Sequence, residues 1–247
     1  MQAVLVTGCN GGIGSAIVRH FSAQGYCVFG IDRQLESHVG VNHYFQLDLA
    51  DLVDSKTLQQ QFASNILSLI QQESLELKAI VNNAAVQLLG SVKVLSIDDF
   101  LLTYKVNVAA PLLLTQLFVK VLQQHKGSVI NIGSIHADLS KPEFVSYATS
   151  KAALRGLTQS MAVDLQGEVR VNCIEPAAIA TDMLVDGFKD APDKLAALNA
   201  CHPSQQIGKP EEVAELCFFL ANSPITFLNG CCIGINGAIA SRLHDPV

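Results

Sequence analysis

Seven short apolar runs recur along the chain, and most are followed by a stretch with helical spacing. They are 3–8 (AVLVTG), 27–32 (CVFGID), 43–48 (HYFQLD), 78–83 (KAIVNN), 127–134 (GSVINIGS), 169–176 (VRVNCIEP) and 230–235 (GCCIGI). Their apolar residues come largely in unbroken succession. That pattern predicts strands buried on both faces, as in a parallel sheet. Helical periods occupy about 12–24, 51–72, 98–125, 144–166 and 210–222. In 51–72, Leu58, Phe62, Ile66, Leu69 and Ile70 recur at a period of about 3.6 residues. The alternation predicts an α/β fold: one domain spanning 1–247, with a doubly wound parallel sheet of about seven strands and helices on both faces. A ligand crevice is expected beyond the carboxyl ends of the strands.

The 247 residues suit one such domain, and 49% hydrophobic against 15% charged residues can fill a large core. Net charge is −6 with no basic cluster, so neither nucleic acid nor an anionic membrane surface is an expected partner. The start, MQAVLVTGCN, lacks the basic segment of a signal peptide. No run of about 18 apolar residues is found, so no membrane-spanning helix is expected. The expected location is cytoplasmic. The seven cysteines include no C-x-x-C pair and read as free thiols. Cys231 and Cys232 are adjacent in a strand-like run and should face opposite ways. The histidines show no ligand spacing, and no metal is expected. Helices 98–125 and 144–166 are apolar on most faces. A sheet covers only one side of a helix, so a homo-oligomer, a tetramer or a dimer, is expected to cover another.

The segment TGCNGGIG (7–14) follows the first strand and opens the first helix. Gly8, Gly12 and Gly14 would permit a tight turn and close approach of a pyrophosphate to free N–H groups at the helix start. The spacing is G-x-x-x-G-x-G, not the G-x-G-x-x-G of the usual dinucleotide fingerprint, but its place in a Rossmann-type β-α unit supports the same role. Asp32 closes the second strand. A carboxylate there would accept from adenosine ribose hydroxyls and repel a 2′-phosphate, which favours NAD over NADP. Arg33 beside it could instead pair with a phosphate.

The segment YATSK (147–151) puts Tyr147 and Lys151 four positions apart, hence on one face of a helix. An ammonium beneath a phenol favours the phenolate, which makes a proton donor and acceptor usable near neutral pH.

Taken together, these segments resemble the short-chain dehydrogenases/reductases over nearly the whole chain. TGCNGGIG, LDL (47–49), NNAA (82–85), KVN (105–107), NIGS (131–134), YATSK, EPAAIATDM (175–183) and IGKPEEVAE (207–215) follow the family's order. The resemblance implies hydride transfer between a nicotinamide cofactor and a secondary alcohol or its ketone, a small-molecule substrate. Tyr147 would be the proton donor and acceptor. Lys151 would hold the nicotinamide ribose and lower the Tyr147 pKa. Ser134 would bond the substrate oxygen, and Asn107 would position a water in a proton relay. Cofactor contacts are implied at Gly8, Gly12, Ile13, Gly14, Asp32, Asp48, Leu49, Asn83, Ala84, Tyr147, Lys151, Pro176, Ile179 and Thr181. The chain departs from the family's pattern at Ala85, at Ala177 and in INGA (235–238), where glycines are usual. Each added methyl restricts positive-φ geometry and the backbone's approach to a ligand.

Substrate choice is expected at Gln87, His136, Glu143, Glu175 and a lid over 182–206 that carries Met183, Leu184 and Phe188. A small hydroxy acid, a sugar alcohol, a steroid and a fatty acyl chain all remain open. Two other readings share the fold: a cofactor-binding regulator or scaffold without catalysis, and an NAD-dependent dehydratase or epimerase.

Overall fold

The computed structural model describes residues 1–186, 188, 189 and 191–243, without the side chains of Asp182, Met183 and Pro192. The chain runs β1 (Gln2–Thr7), α1 (Gly12–Ala23), β2 (Cys27–Asp32), β3 (His43–Gln46), α2 (Leu49–Asp54), α3 (Lys56–Gln72), β4 (Glu76–Asn82), α4 (Ile97–Tyr104) and α5 (Ala110–Gln124). It continues through β5 (Ser128–Ile132), α6 (Val145–Asp164), β6 (Arg170–Pro176), α7 (Asp182–Asp186), α8 (Pro192–Cys201), α9 (Pro210–Asn222) and β7 (Cys232–Ile235). The seven strands form one sheet in the order β3-β2-β1-β4-β5-β6-β7, and each neighbouring pair is parallel. This is the predicted doubly wound sheet. The order reverses between β1 and β4, and a ligand crevice forms where that happens.

Alternate residues of each strand serve opposite layers. Leu5, Phe29, Leu77 and Val129 pack with Phe62, Ile66, Leu114 and Phe118 from α3 and α5. Val4, Val6, Val28 and Ile130 pack with Ile17, Phe21, Val213, Cys217 and Leu220 from α1 and α9. Each large side chain wholly removed from water contributes about 1.5–3 kcal/mol, which is why unbroken apolar runs specify a sheet covered twice.

Two predicted helices are subdivided. In 51–72, Ser55 leaves helical geometry, with φ −117° and ψ 105°, and its Oγ accepts from Leu58 N at 3.2 Å to start α3. In 98–125, a π turn over Lys105–Ala109 joins α4 to α5, where Ala110 N donates to Lys105 O. Pro111 has no N–H to give the carbonyl four residues back, that of Asn107, so a regular α-turn cannot close there. The two join in one 28-residue helix, Ile97–Gln124. By length and a mean hydropathy of 1.4 it could cross a membrane, but 56% of that window is buried inside the domain. It is a core helix of the sheet.

The seven cysteines carry free thiols. Residues 178–180 meet Gly208, with Ala180 N donating to Gly208 O at 2.8 Å and Gly208 N to Ala178 O at 2.9 Å. The predicted lid, 182–206, therefore leaves and returns through a paired neck. Within it, α7 and α8 are formed. Gly187, Asp190 and the side chain of Met183 lie outside the described residues.

Candidate active site

The turn from β1 into α1 is shaped by close packing. Gly8 has φ +63°, and Gly14 lies so near it that an added Cβ would sit 2.0 Å from Gly8 O. A Cβ on Gly12 would meet Thr181 Cγ2 at 2.6 Å. Gly11 is the N-cap of α1 and supplies no side-chain cap, and no acidic residue lies in the first turn. The first N–H groups of a helix have no partner within it. Those of Gly12, Ile13 and Gly14 thus form an uncapped, positively polarised end that suits a pyrophosphate. Asn83 closes the opposite wall, donating from Nδ2 to Thr7 O (2.9 Å) and Gly8 O (3.0 Å). Ala84 N donates to Thr7 Oγ1 at 3.0 Å.

Gly14→Ala is expected to destabilise the chain by about 1–3 kcal/mol, because backbone atoms must part to admit the methyl. It should also weaken nucleotide binding. Gly25→Ala is the comparison: φ there is +78° and none of the described residues lies within 4 Å of an added Cβ, so it should cost about 1–2 kcal/mol without loss of nucleotide affinity. Urea unfolding and a fluorescence titration with NADH would read both.

Asp32 sits at the end of β2. Its Oδ2 accepts from Asn10 N at 3.1 Å and its Oδ1 from Gln34 N at 3.2 Å. Asn10 is not legible in the sequence as a site residue, yet it fastens the glycine turn to the loop after β2. Its Nδ2 reaches Gln34 Oε1 (3.0 Å) and Glu36 O (2.8 Å), while its Oδ1 accepts from His38 N (2.9 Å). Only its position inside a turn hints at this. Asp48 is the N-cap of α2, accepting from Ala50 N at 2.8 Å, and Leu49 behind it is buried. Thr181 Oγ1 caps the start of α7, accepting from Leu184 N at 3.4 Å, and Ile179 is buried at the neck of the lid.

The four residues expected to handle the proton, Asn107, Ser134, Tyr147 and Lys151, converge at the carboxyl ends of β4 and β5. Tyr147 and Lys151 share one face of α6. Lys151 is 3% exposed, and its Nζ donates to Ile132 O at 2.7 Å. A buried ammonium needs such partners, and this bond fixes it 5.5 Å from the centre of the Tyr147 ring. Ser134 follows β5 directly. Its Oγ accepts from His136 N at 3.1 Å, which starts a 3₁₀ turn over Ile135–Ala137.

Asn107 is 1% exposed inside the π turn. Its Oδ1 accepts from Val86 N (2.8 Å), and its Nδ2 donates to Val86 O (2.9 Å) and Ser150 Oγ (2.9 Å). Ser150 Oγ in turn donates to Tyr147 O at 2.7 Å. The side-chain amide thus pins α6 and the segment after β4 to one helix.

Arg155, one turn beyond Lys151, carries no mark in the sequence. Its Nε donates to Glu175 Oε1 at 2.7 Å and its Nη2 to Glu175 Oε2 at 2.6 Å. Nη2 also reaches Asp138 Oδ2 at 2.6 Å, and Nη1 pairs with Asp138 Oδ1. These bonds hold the guanidinium above its usual pKa, with Glu175 the larger cause, and hold Asp138 below the usual carboxylate range. The Glu175 side chain is only 7% exposed. It is committed to Arg155, whereas Gln87 and Glu143 are exposed. Arg155 therefore ties the loop carrying Ser134 to the end of β6, next to Pro176.

The departures in glycine content act unequally. Ala85 and Ala177 keep negative φ, so their methyl groups meet no left-handed strain. Ala238 takes φ +65°, a geometry that costs an alanine about 1–2 kcal/mol. A concavity of about 600 Å³ is lined by Leu67, Ile70 and Glu76 at the amino end of β4, away from these groups. Another, about 100 Å³, adjoins Ala177, Gly208 and Gly237.

Residues 2–191 match the family described as short chain dehydrogenase. The chain belongs to that family. Protein FixR of Bradyrhizobium diazoefficiens is 32% identical over 96% of this chain and 86% of the relative. The aldohexose dehydrogenase AldT of Thermoplasma acidophilum, solved without ligand, is 25% identical with a TM-score of 0.88, over 100% of this chain and 96% of that one. A point variant of ElxO with NADPH bound is 26% identical with a TM-score of 0.85, over 98% of this chain and 99% of that one. Membership makes this chain an oxidoreductase of a kind that binds a nicotinamide cofactor.

Proposed function

We propose that this short-chain dehydrogenase interconverts a secondary alcohol and its ketone with NAD as the favoured cofactor. The observation that carries the reading is the placement of Tyr147 above a buried, anchored Lys151 and beside the Ser134 turn. When bound, the nicotinamide supplies or takes the hydride. The residues of the chain do the rest. Gly12, Ile13 and Gly14 present N–H groups to the pyrophosphate. Asp32 meets the adenosine ribose, and Lys151 keeps two N–H donors for the second ribose. Negative charge develops on the substrate oxygen during reduction, and the hydroxyls of Ser134 and Tyr147 are the donors that meet it. Tyr147 passes its proton to that oxygen, or takes one in reverse. Both N–H groups of the Asn107 amide are bonded to protein, and Pro111 gives its main-chain carbonyl no hydrogen bond, so a relay water held there would donate to an Asn107 oxygen.

A homo-oligomer accords with exposed Leu101, Leu102, Tyr104, Leu112 and Val163 on the outer faces of 97–124 and α6. The test of function is a panel of secondary alcohols and ketones with both cofactors, read by the near-ultraviolet absorbance of reduced nicotinamide. Turnover supports the reading; NADH binding with no turnover across the panel favours a regulator instead.

Cofactor choice rests on one carboxylate. The wild-type chain should favour NADH over NADPH, and Asp32→Ala should narrow that preference by about fivefold, one charge contact being of order 1 kcal/mol. Dissociation constants for both nucleotides measure it. An unchanged ratio would remove the repulsion argument.

A further inference from the structure

His136 carries an unused acceptor beside the phenol of Tyr147. Its Nδ1 lies 2.8 Å from the Leu139 carbonyl oxygen. A carbonyl can only accept, so Nδ1 carries the proton and the lone pair of the neutral ring lies on Nε2. The ring is held from three sides. Its own main-chain N–H is bonded to Ser134 Oγ, its plane is tilted against Phe144 at 4.7 Å, and it stands edge-on to Tyr147 at 6.1 Å between ring centres. Phe144 is itself buried and covered by Lys141 Nζ at 4.2 Å, so this wall is firm. Partial burial lowers the His136 pKa, the Leu139 bond opposes this, and Lys141 adds to it. Among the described residues, Nε2 has no hydrogen-bond or ion-pair partner.

We infer that His136 Nε2 accepts a hydrogen bond from a substrate hydroxyl next to the reacting carbon, so that vicinal diols and α-hydroxy ketones are the preferred substrates. This rests on the reading of Ser134 and Tyr147 given above. Its edge-on placement against the Tyr147 ring sets His136 on the same side of α6 as the proposed proton donor. A plain hydrocarbon neighbour would take the acceptor from water and offer it no hydrogen bond in return. Sites built to bond a hydroxyl reject analogues without it far more strongly than apolar pockets reject a hydroxyl. AldT, by its name, acts on a sugar rich in such pairs.

The test compares acetoin, butanone and pyruvate as ketones for the full-length chain, wild type, His136→Phe and His136→Gln, with NADH. Wild type should show kcat/KM at least about tenfold higher for acetoin than for butanone, the value of one hydrogen bond of about 1.4 kcal/mol. His136→Phe should lose at least about tenfold more on acetoin than on butanone. His136→Gln, whose amide oxygen can accept, should regain part of that difference. Equal rates for the two ketones, a preference that survives His136→Phe, or a preference for pyruvate would each overturn the inference. Butanone turnover would still uphold the wider reading; no wild-type turnover of any ketone would end both.

Discussion

Tyr147→Phe is expected to lower kcat by about 10²–10⁴-fold while the chain still binds NADH. The substitution removes one oxygen. The ring stays edge-on to Phe144 at 5.9 Å and beside His136, so α6 keeps its packing. Lys151 keeps its bond to Ile132 O, and the glycine turn is untouched. What disappears is the hydroxyl proposed above to pass a proton to the substrate oxygen. Ser134 remains and can still polarise that oxygen, so a residual rate is expected. Steady-state kinetics with a good substrate, together with an NADH titration, separate the two effects. Wild-type kcat in the variant would transfer the acid–base role to another residue.

Arg155→Met is expected to destabilise the chain by about 3–5 kcal/mol, the loss typical when one partner of a buried ion pair is removed. The loss is set by Glu175, not by Asp138. The Glu175 carboxylate is almost wholly buried, and among the described residues Arg155 is the one cation paired with it. Asp138 is 63% exposed and rehydrates, and exposed pairs contribute little. Arg155→Met/Glu175→Leu should therefore recover most of the stability, since an apolar pair of similar volume replaces a desolvated ionic one. Asp138 adds a pH signature. Its carboxyl is held below its ordinary value in the fold, chiefly by the hydrogen bond from Arg155. Its contribution is present above the ordinary aspartate value and is lost as pH falls through the lowered one. Urea unfolding of the single and double variants, at neutral and acid pH, checks both statements. In the single variant the loop carrying Ser134 also loses its tie to β6, and kcat should fall with little change in NADH affinity.

The layers of the fold are legible because burial on both faces leaves a plain mark: Val4, Leu5 and Val6 must all be apolar when neighbouring residues serve opposite cores. The subdivided helices are less so. Ser55 reads as an ordinary polar position, and only its extended backbone makes it a cap. The π turn gives one hint, Pro111 inside an apolar period, but nothing in the periodicity says that the chain widens there. At the site, Ser134, Tyr147 and Lys151 stand out through their order along the chain. Asn10 and Arg155 do not, because their partners are distant in sequence. Asn10 meets residues 34, 36 and 38, and Arg155 joins 138 to 175. Those pairings are made by the crossovers of the sheet and leave no periodic trace. Asn107 lies between the two cases: a polar residue in an apolar helix announces a partner but not which one.

The wide turn at Lys105–Ala109 also shifts the phase of the helix that contains it. Each residue advances an α-helix by about 100°, so one residue more or fewer turns every side chain beyond it to a new bearing. Shortening this segment by one position would let α4 and α5 run in a single phase. It would also swing the Asn107 amide away from Val86 and Ser150. A one-residue deletion at this point is thus expected to disturb the site, although the segment lies within a helix.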